Sequence, residues 1–140
     1  MNVNECFEKG LLKKDIESKD KALKSIEAAE HKLSIAKRTF DAEIYEETIV
    51  NGYAVMFHAG RALLFKDGVV EKSHFGLYIY IRERYAGKIE ARFVNEFNSL
   101  RLERHELLYG LDKTEIKEVE AEDILKIAED FIKAVEKIIN

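Results

Sequence analysis

Between Phe93 and Gly110 the chain reads "FVNEFNSLRLERHELLYG", and four side chains in the second half of that stretch have the chemistry to meet an anion: Arg101, Arg104, His105 and Tyr109. A planar guanidinium presents paired donors to phosphate or carboxylate. An imidazole exchanges a proton near neutrality, and a phenol donates a hydrogen bond. On a helical wheel started at Phe93 and advanced about 100° per residue, Phe97, Leu100, Leu107 and Leu108 fall within roughly 60°, and Arg104 falls among them at about 20°. A cation in an apolar stripe is costly unless it has a partner or a water-lined cleft. Two readings are open. Arg104 forms a buried structural ion pair with a carboxylate elsewhere in the fold, or it is held ready for a phosphate, its apolar neighbours having already removed much of the ordering cost. Arg101, three residues earlier, shares the face; His105 projects from its edge, and Tyr109 sits at the end beside Gly110.

Other chemistry finds less support in the residues. A carboxylate-bridged dimetal bundle needs Glu-x-x-His on two helices, and here the spacing occurs once, from Glu71 to His74, at a loop boundary. The four histidines, His31, His58, His74 and His105, are scattered singly, and no Cys/His pair has zinc-finger spacing. Without a Walker loop or a G-x-G-x-x-G segment, any nucleotide must be held by side chains rather than by a glycine-rich cradle. No metal and no cofactor are therefore expected. His58 pairs with Asn51 on the polar flank of its helix, His74 follows a capping Ser73 and seats the loop, and Cys6 reads as a small hydrophobe without an activating partner.

The elements that must position the arginines read as helices. Residues 4 to 14 suggest a short one carrying Phe7 and Leu11, weakened by Gly10. Ser18 is placed as an N-cap before the single-face spacing Ala22, Ile26, Ala29, Leu33, Ala36, Phe40. Asp41 is placed to cap a long helix from about residue 42 to about 66, apolar over most of its circumference. That makes it the central helix, with Gly52 and Gly60 admitting close neighbours. The pattern breaks at Asp67-Gly68, and Ser73 caps a helix through "FGLYIYIRERYAG". The alternation in "GLYIYIRER" would also suit a strand, but a lone strand would have no partner. The helix holding Arg104 follows and closes at Gly110. The last one places Ile124, Ala128, Phe131, Val135 and Ile138 on one face behind an acidic first turn. The expectation is an all-α, antiparallel up-and-down bundle of about five to six helices in a single domain over residues 1 to 140.

Composition agrees with this. The chain of 140 residues is 46% hydrophobic and 36% charged and contains no proline, a profile for uninterrupted helices rather than disorder. A single cysteine and the absence of a basic segment leading into an apolar run point to a reducing cytoplasm, and no stretch suits a membrane span. The net charge of −4 argues against nucleic-acid binding through overall positive potential. The distribution is more informative. From Arg82 to Arg104 there are six Lys/Arg against four Glu, whereas from Asp112 onward five lysines face nine acids. Five of the seven arginines fall in the first window.

The stretch "NGYAVMFHAGRALLFKDGVVEKSHFG", followed at an interval by "RHELLYG" and by a final helix with "AEDFIKAVEKI", resembles the HEPN domain (higher eukaryotes and prokaryotes nucleotide-binding), in its small stand-alone prokaryotic branch, from about Ala22 onward. The resemblance implies a helical bundle that forms a homodimer, is often encoded beside a nucleotidyltransferase in toxin and antitoxin pairs, and, in active members, is a metal-independent ribonuclease. Its motif is an arginine, four to six residues, then a histidine, brought to a cleft shared by two subunits. Carried over, Arg104 takes the arginine position and Tyr109 the histidine position. A tyrosine, with a reference pKa of about 10, is a poor base near neutrality, though it donates a hydrogen bond. His105 points about 100° away from Arg104 and does not restore the spacing. The resulting expectation is a domain that binds RNA or a nucleotide phosphate near Arg104, with Arg101, His105 and Tyr109 assisting and ribonuclease activity second. The alternative is a non-catalytic interaction module that dimerises and pairs with a nucleotidyltransferase.

Overall fold

The computed structural model describes residues 1–140. Six helices carry the chain: α1 (Val3–Glu8), α2 (Lys19–Asp41), α3 (Tyr45–Asp67), α4 (His74–Arg84), α5 (Ala91–Tyr109) and α6 (Glu118–Ile139). The fold is a helical bundle. Strands β1 (Leu12–Lys14) and β2 (Val69–Glu71) pair antiparallel, with Leu12 opposite Glu71 and Lys14 opposite Val69. The segment expected as one helix from 4 to 14 is therefore divided: α1 ends at Glu8, Gly10 turns the chain at φ +74°, and β1 follows. The alternating stretch in α4 is helical, and the strands that do exist lie outside it.

Local chemistry explains the boundaries. Ser18 Oγ accepts from the Lys21 backbone N–H at 3.1 Å, and Ser73 Oγ accepts from the Gly76 N–H at 2.8 Å. Each satisfies a donor left open by the first turn of α2 or α4. Asp41 does not cap α3. It is the last residue of α2, which stops because Glu43 enters the left-handed region at φ +62°, and α3 starts after Ile44 with no side-chain cap. α3 ends at Gly68, whose φ of +75° suits glycine, and whose missing Cβ leaves room for the Asp15 carbonyl.

The core forms around α3, which packs against α2, α4, α5 and α6. Tyr53, Val55, Met56, Ala59, Ala62, Leu63 and Leu64 of α3 are buried on several sides. Two glycines set how closely its neighbours approach. At Gly52 a Cβ would collide with Ile124 of α6, and at Gly60 it would come within 2.8 Å of Ile81 of α4. α6 contributes Ile124, Ala128, Phe131, Ile132 and Val135 to the same core, each large side chain worth about 1.5–3 kcal/mol on full burial. The apolar stripe of α5 is only half used. Phe93, Phe97 and Leu100 are buried, Leu107 is partly buried, and Leu108 is 47% exposed. The last two turns of α5 thus extend past the packed layer, and Arg104 stands where packing gives way to solvent.

Candidate anion-binding site

Arg104 is half-buried and its guanidinium lies 5.1 Å from the centre of the Tyr53 ring. Arg101 stands in the same relation to Phe75 of α4, at 5.4 Å, and donates from Nε and Nη2 to Asn98 Oδ1 at 3.3 and 3.1 Å. No carboxylate oxygen lies within 4.0 Å of either guanidinium; the ion pairs of the chain use other residues. The structural ion pair open to Arg104 at the level of sequence is not formed. A guanidinium resting on an aromatic face is held in place while its N–H edges stay available.

The acids of α5 do not compensate these charges because they face the other way. Glu96 and Glu103 line a cavity of about 270 Å³ with Glu120 and Asp123 of α6. Burial and repulsion from Asp123 raise the Glu96 carboxyl above its ordinary value; burial, with repulsion from Glu120 and Glu96, does the same for Glu103. Glu96 and Glu103 of α5 thus turn toward α6, whereas Arg101 and Arg104 lie against α4 and α3.

The imidazole beside the arginines comes from α4. His74 Nδ1 is 2.7 Å from the Tyr53 hydroxyl, its ring stacks on Phe57 at 4.3 Å, and Tyr53 in turn stacks on Phe97 of α5 at 5.2 Å. Burial, then the charges of Arg104, Arg101 and Arg61, hold the His74 pKa below its ordinary value, so the ring is kept neutral. Burial raises the Tyr53 phenol, with Arg104 and Arg101 opposing part of the rise. Both partners of the bond are thus uncharged. Nε2 of His74 has no hydrogen bond and is not sealed from solvent, which leaves it as the free edge of the ring. Arg61 is compensated: Nε sits 2.7 Å from Oε1 of Glu71, whose side chain is only 10% exposed. That contact is ionic rather than an aligned hydrogen bond, since Arg61 Nε and Glu71 Oε2 are both buried without a hydrogen-bond partner.

The fold thus brings Arg101 and Arg104 together but leaves His105 and Tyr109 apart from them. His105 and Tyr109 pack on each other, ring centres 5.0 Å apart, at the exposed end of α5, with Tyr109 66% exposed; no hydrogen bond or ring contact ties either to Arg104 or His74. Tyr53, which reads in the sequence as part of the central helix, and His74, which reads as a loop-seating residue, are the members that sequence reasoning missed. The available signal was the placement of His74 one residue after a capping serine, which fixes its direction at the start of α4. No three His, Cys, Asp or Glu side chains converge in an arrangement that could hold a metal ion, and no helix is long and apolar enough to cross a membrane.

The chain is thus a small helical bundle built on one central helix, with two arginines that lack carboxylate partners and a neutral imidazole at the junction of three helices. The chain belongs to the HEPN domain family, whose model matches residues 22–138. The match begins in α2 and ends in α6, leaving α1 and β1 outside. A relative from Methanocaldococcus jannaschii, named "Putative toxin MJ0605", is 36% identical over 135 residues, which span 92% of this chain and 95% of that protein.

Proposed function

We propose that this HEPN-domain protein is toxin-like and binds RNA or a nucleotide phosphate at Arg101 and Arg104, working as a homodimer alongside a nucleotidyltransferase partner. The single observation that carries the reading is the pair of guanidiniums, each laid on an aromatic ring and neither given a carboxylate. The toxin name of the M. jannaschii relative supports the toxin-like part of it. Arginine donors fit two phosphate oxygens at once, and His74, close enough for the charges of both arginines to lower its pKa, adds a neutral imidazole. If the bound RNA is also cut, His74 rather than Tyr109 is the group suited to accepting a 2′-hydroxyl proton near neutral pH, in the tautomer whose Nδ1–H donates to the Tyr53 oxygen and leaves Nε2 with its lone pair.

A labelled RNA titrated at several salt concentrations tests this. The wild-type affinity falls steeply with salt, and Arg104→Ala lowers it roughly 10- to 100-fold, the equivalent of one charge-assisted hydrogen bond of about 1.5–3 kcal/mol. Because Arg104 has no ion partner, the same change costs about 1 kcal/mol of stability through its ring contact, or a Tm shift of about 3 °C. A Tm loss above about 10 °C with unchanged RNA affinity refutes the anion site.

The interaction-module reading has an observation of its own. Leu102, Leu108, Tyr109 and Leu111 are 57%, 47%, 66% and 101% exposed around the end of α5, an apolar surface of the kind a partner covers. Sedimentation across a concentration series, with Leu108→Glu as the variant, reads whether a second copy is that partner.

A further inference from the structure

Beside the arginine pair, one edge of α4 alternates cations with aromatic rings. Phe75, Tyr78 and Arg82 share a face, at spacings of three and four residues. The order in space is continuous. Arg101 lies over Phe75 at 5.4 Å, Phe75 and Tyr78 are 6.2 Å apart at a tilt of 50°, and the Arg82 guanidinium lies 5.5 Å from the Tyr78 ring centre. Both rings are half-buried, so each keeps an accessible part while its base is fixed in the bundle. Past Arg82 the edge opens into a cleft of about 450 Å³ lined by Tyr85, Lys88, Ile89, Val94 and Asn95 together with Arg82. Glu90, the acid of that cleft, is already engaged by Arg92 at 2.6 Å. Arg82 itself is anchored by the Met1 carbonyl at 2.8 Å and by Glu83 at 3.5 Å, and its side chain remains 43% exposed.

We infer that this edge is a platform for single-stranded RNA, running from the Arg101 and Arg104 site over Phe75 and Tyr78 to the cleft at Arg82 and Lys88. The proposal rests on the anion site and extends it from one phosphate to a strand. Aromatic rings give sequence-tolerant stacking surfaces, and cations at both ends follow the backbone, the two components that non-specific single-strand binders combine. From Phe75 to Arg82 the helix advances about 10 Å, room for two or three bases, the number that aromatic platforms commonly stack. A duplex, whose bases are closed to stacking, gains nothing from the rings. Charge decides against an apolar protein partner on this edge: Arg101 and Lys88 would be buried without carboxylates.

The test uses the full chain, a fluorescein-labelled dodecamer of uridylate, a duplex RNA of equal length, and adenosine monophosphate as a competitor at the arginine pair. Single-stranded RNA binds more tightly than duplex. Tyr78→Ala weakens the dodecamer at least about 5-fold, the lower end for loss of one stacked base, whereas Tyr78→Phe retains affinity and adenosine monophosphate competes equally well in all three proteins. Arg82→Gln reduces the slope of log affinity against log salt by about one. The platform is overturned if Tyr78→Ala and Arg82→Gln leave the dodecamer unaffected while Arg104→Ala abolishes its binding, a result that keeps the anion site. It is also overturned if Tyr78→Ala changes the sedimentation of the protein instead, which makes this edge an interface between copies. Absence of binding by wild type to both RNA and mononucleotide removes the platform and the anion site together.

Discussion

Replacing Tyr53 by phenylalanine separates the two forces that set the state of His74. The ring of Tyr53 is 2% exposed and stacks on Phe97 at 5.2 Å, with Arg104 resting on it at 5.1 Å; Tyr53→Phe keeps all of that and removes only the hydroxyl that meets His74 Nδ1 at 2.7 Å. The lost bond is worth about 1 kcal/mol net, rising to about 3 kcal/mol if Nδ1 is left without a water. At about 3 °C per kcal/mol for a chain of 140 residues, Tm drops by roughly 3–9 °C. The His74 pKa behaves differently. Its lowering comes from burial first, then from Arg104, Arg101 and Arg61, with no contribution from the hydroxyl. In Tyr53→Phe the ring therefore still titrates below the ordinary value of 6.5, whereas Arg104→Gln raises the midpoint. Proton and carbon shifts of the imidazole followed by NMR from pH 8 to 4 measure both. An ordinary titration in Tyr53→Phe together with an unmoved one in Arg104→Gln would mean that the bond and not the charges holds the ring neutral.

Two further outcomes follow from burial and charge. Glu71→Gln removes the counter-charge of Arg61 from a pair whose side chains are 10% and 30% exposed, and urea unfolding registers a loss of about 1–3 kcal/mol, below the full cost of a buried pair because Arg61 reaches water. Glu129→Gln, in a pair with Lys37 at 3.7 Å that is 43% and 51% exposed, costs less than about 1 kcal/mol; equal losses would mean that exposure is not the deciding variable. Stability also depends on pH through His58 and His74. The folded pKa of each lies below its ordinary value, for His58 through burial, Arg61 and Lys32. The unfolded chain then binds more protons than the folded one, so the stabilising contribution is complete above about 6.5 and is lost as the pH falls toward the folded values. The raised carboxyls of Glu96 and Glu103 act in the opposite direction as the pH falls, so the histidine part is read by difference: the change in urea midpoint from pH 7.5 to 5.5 is less destabilising in His74→Gln than in wild type, and a more destabilising change in the variant contradicts the sign.

The helices were legible where the deciding chemistry is local. Ser18 and Ser73 announce α2 and α4 because a serine oxygen meets an N–H only three residues on, and α6 shows its core face as an unbroken spacing. Periodicity also marked α3 as central, since it is apolar on more than one side, and Gly52 and Gly60 as sites of close approach. The misread boundaries have non-local or unusual causes. α2 stops at a left-handed glutamate, Glu43, where a glycine would have been recognisable, so Asp41 looked like the start of the next helix. β1 and β2 are three residues each, too short to show an alternation, and each is defined by the other across more than fifty positions of sequence.

The candidate site was half legible for the same reason. Arg101 and Arg104 stand out because one helix carries both and the wheel exposes the conflict between their charge and their neighbours. What resolves that conflict comes from other helices: Tyr53 of α3 lies under Arg104, Phe75 of α4 lies under Arg101, and His74 opens α4 with its ring bonded to Tyr53. Spacing along α5 cannot report such a meeting. A motif that requires arginine and histidine on one helix assigns the second position to Tyr109, which the fold leaves at a solvent-exposed end next to His105. The proposed site asks less than the motif does, namely a neutral imidazole near the two arginines, on whichever helix it is carried. α4 can meet it because Ser73 fixes where that helix starts, and one bond from Tyr53 fixes which edge of the ring faces outward.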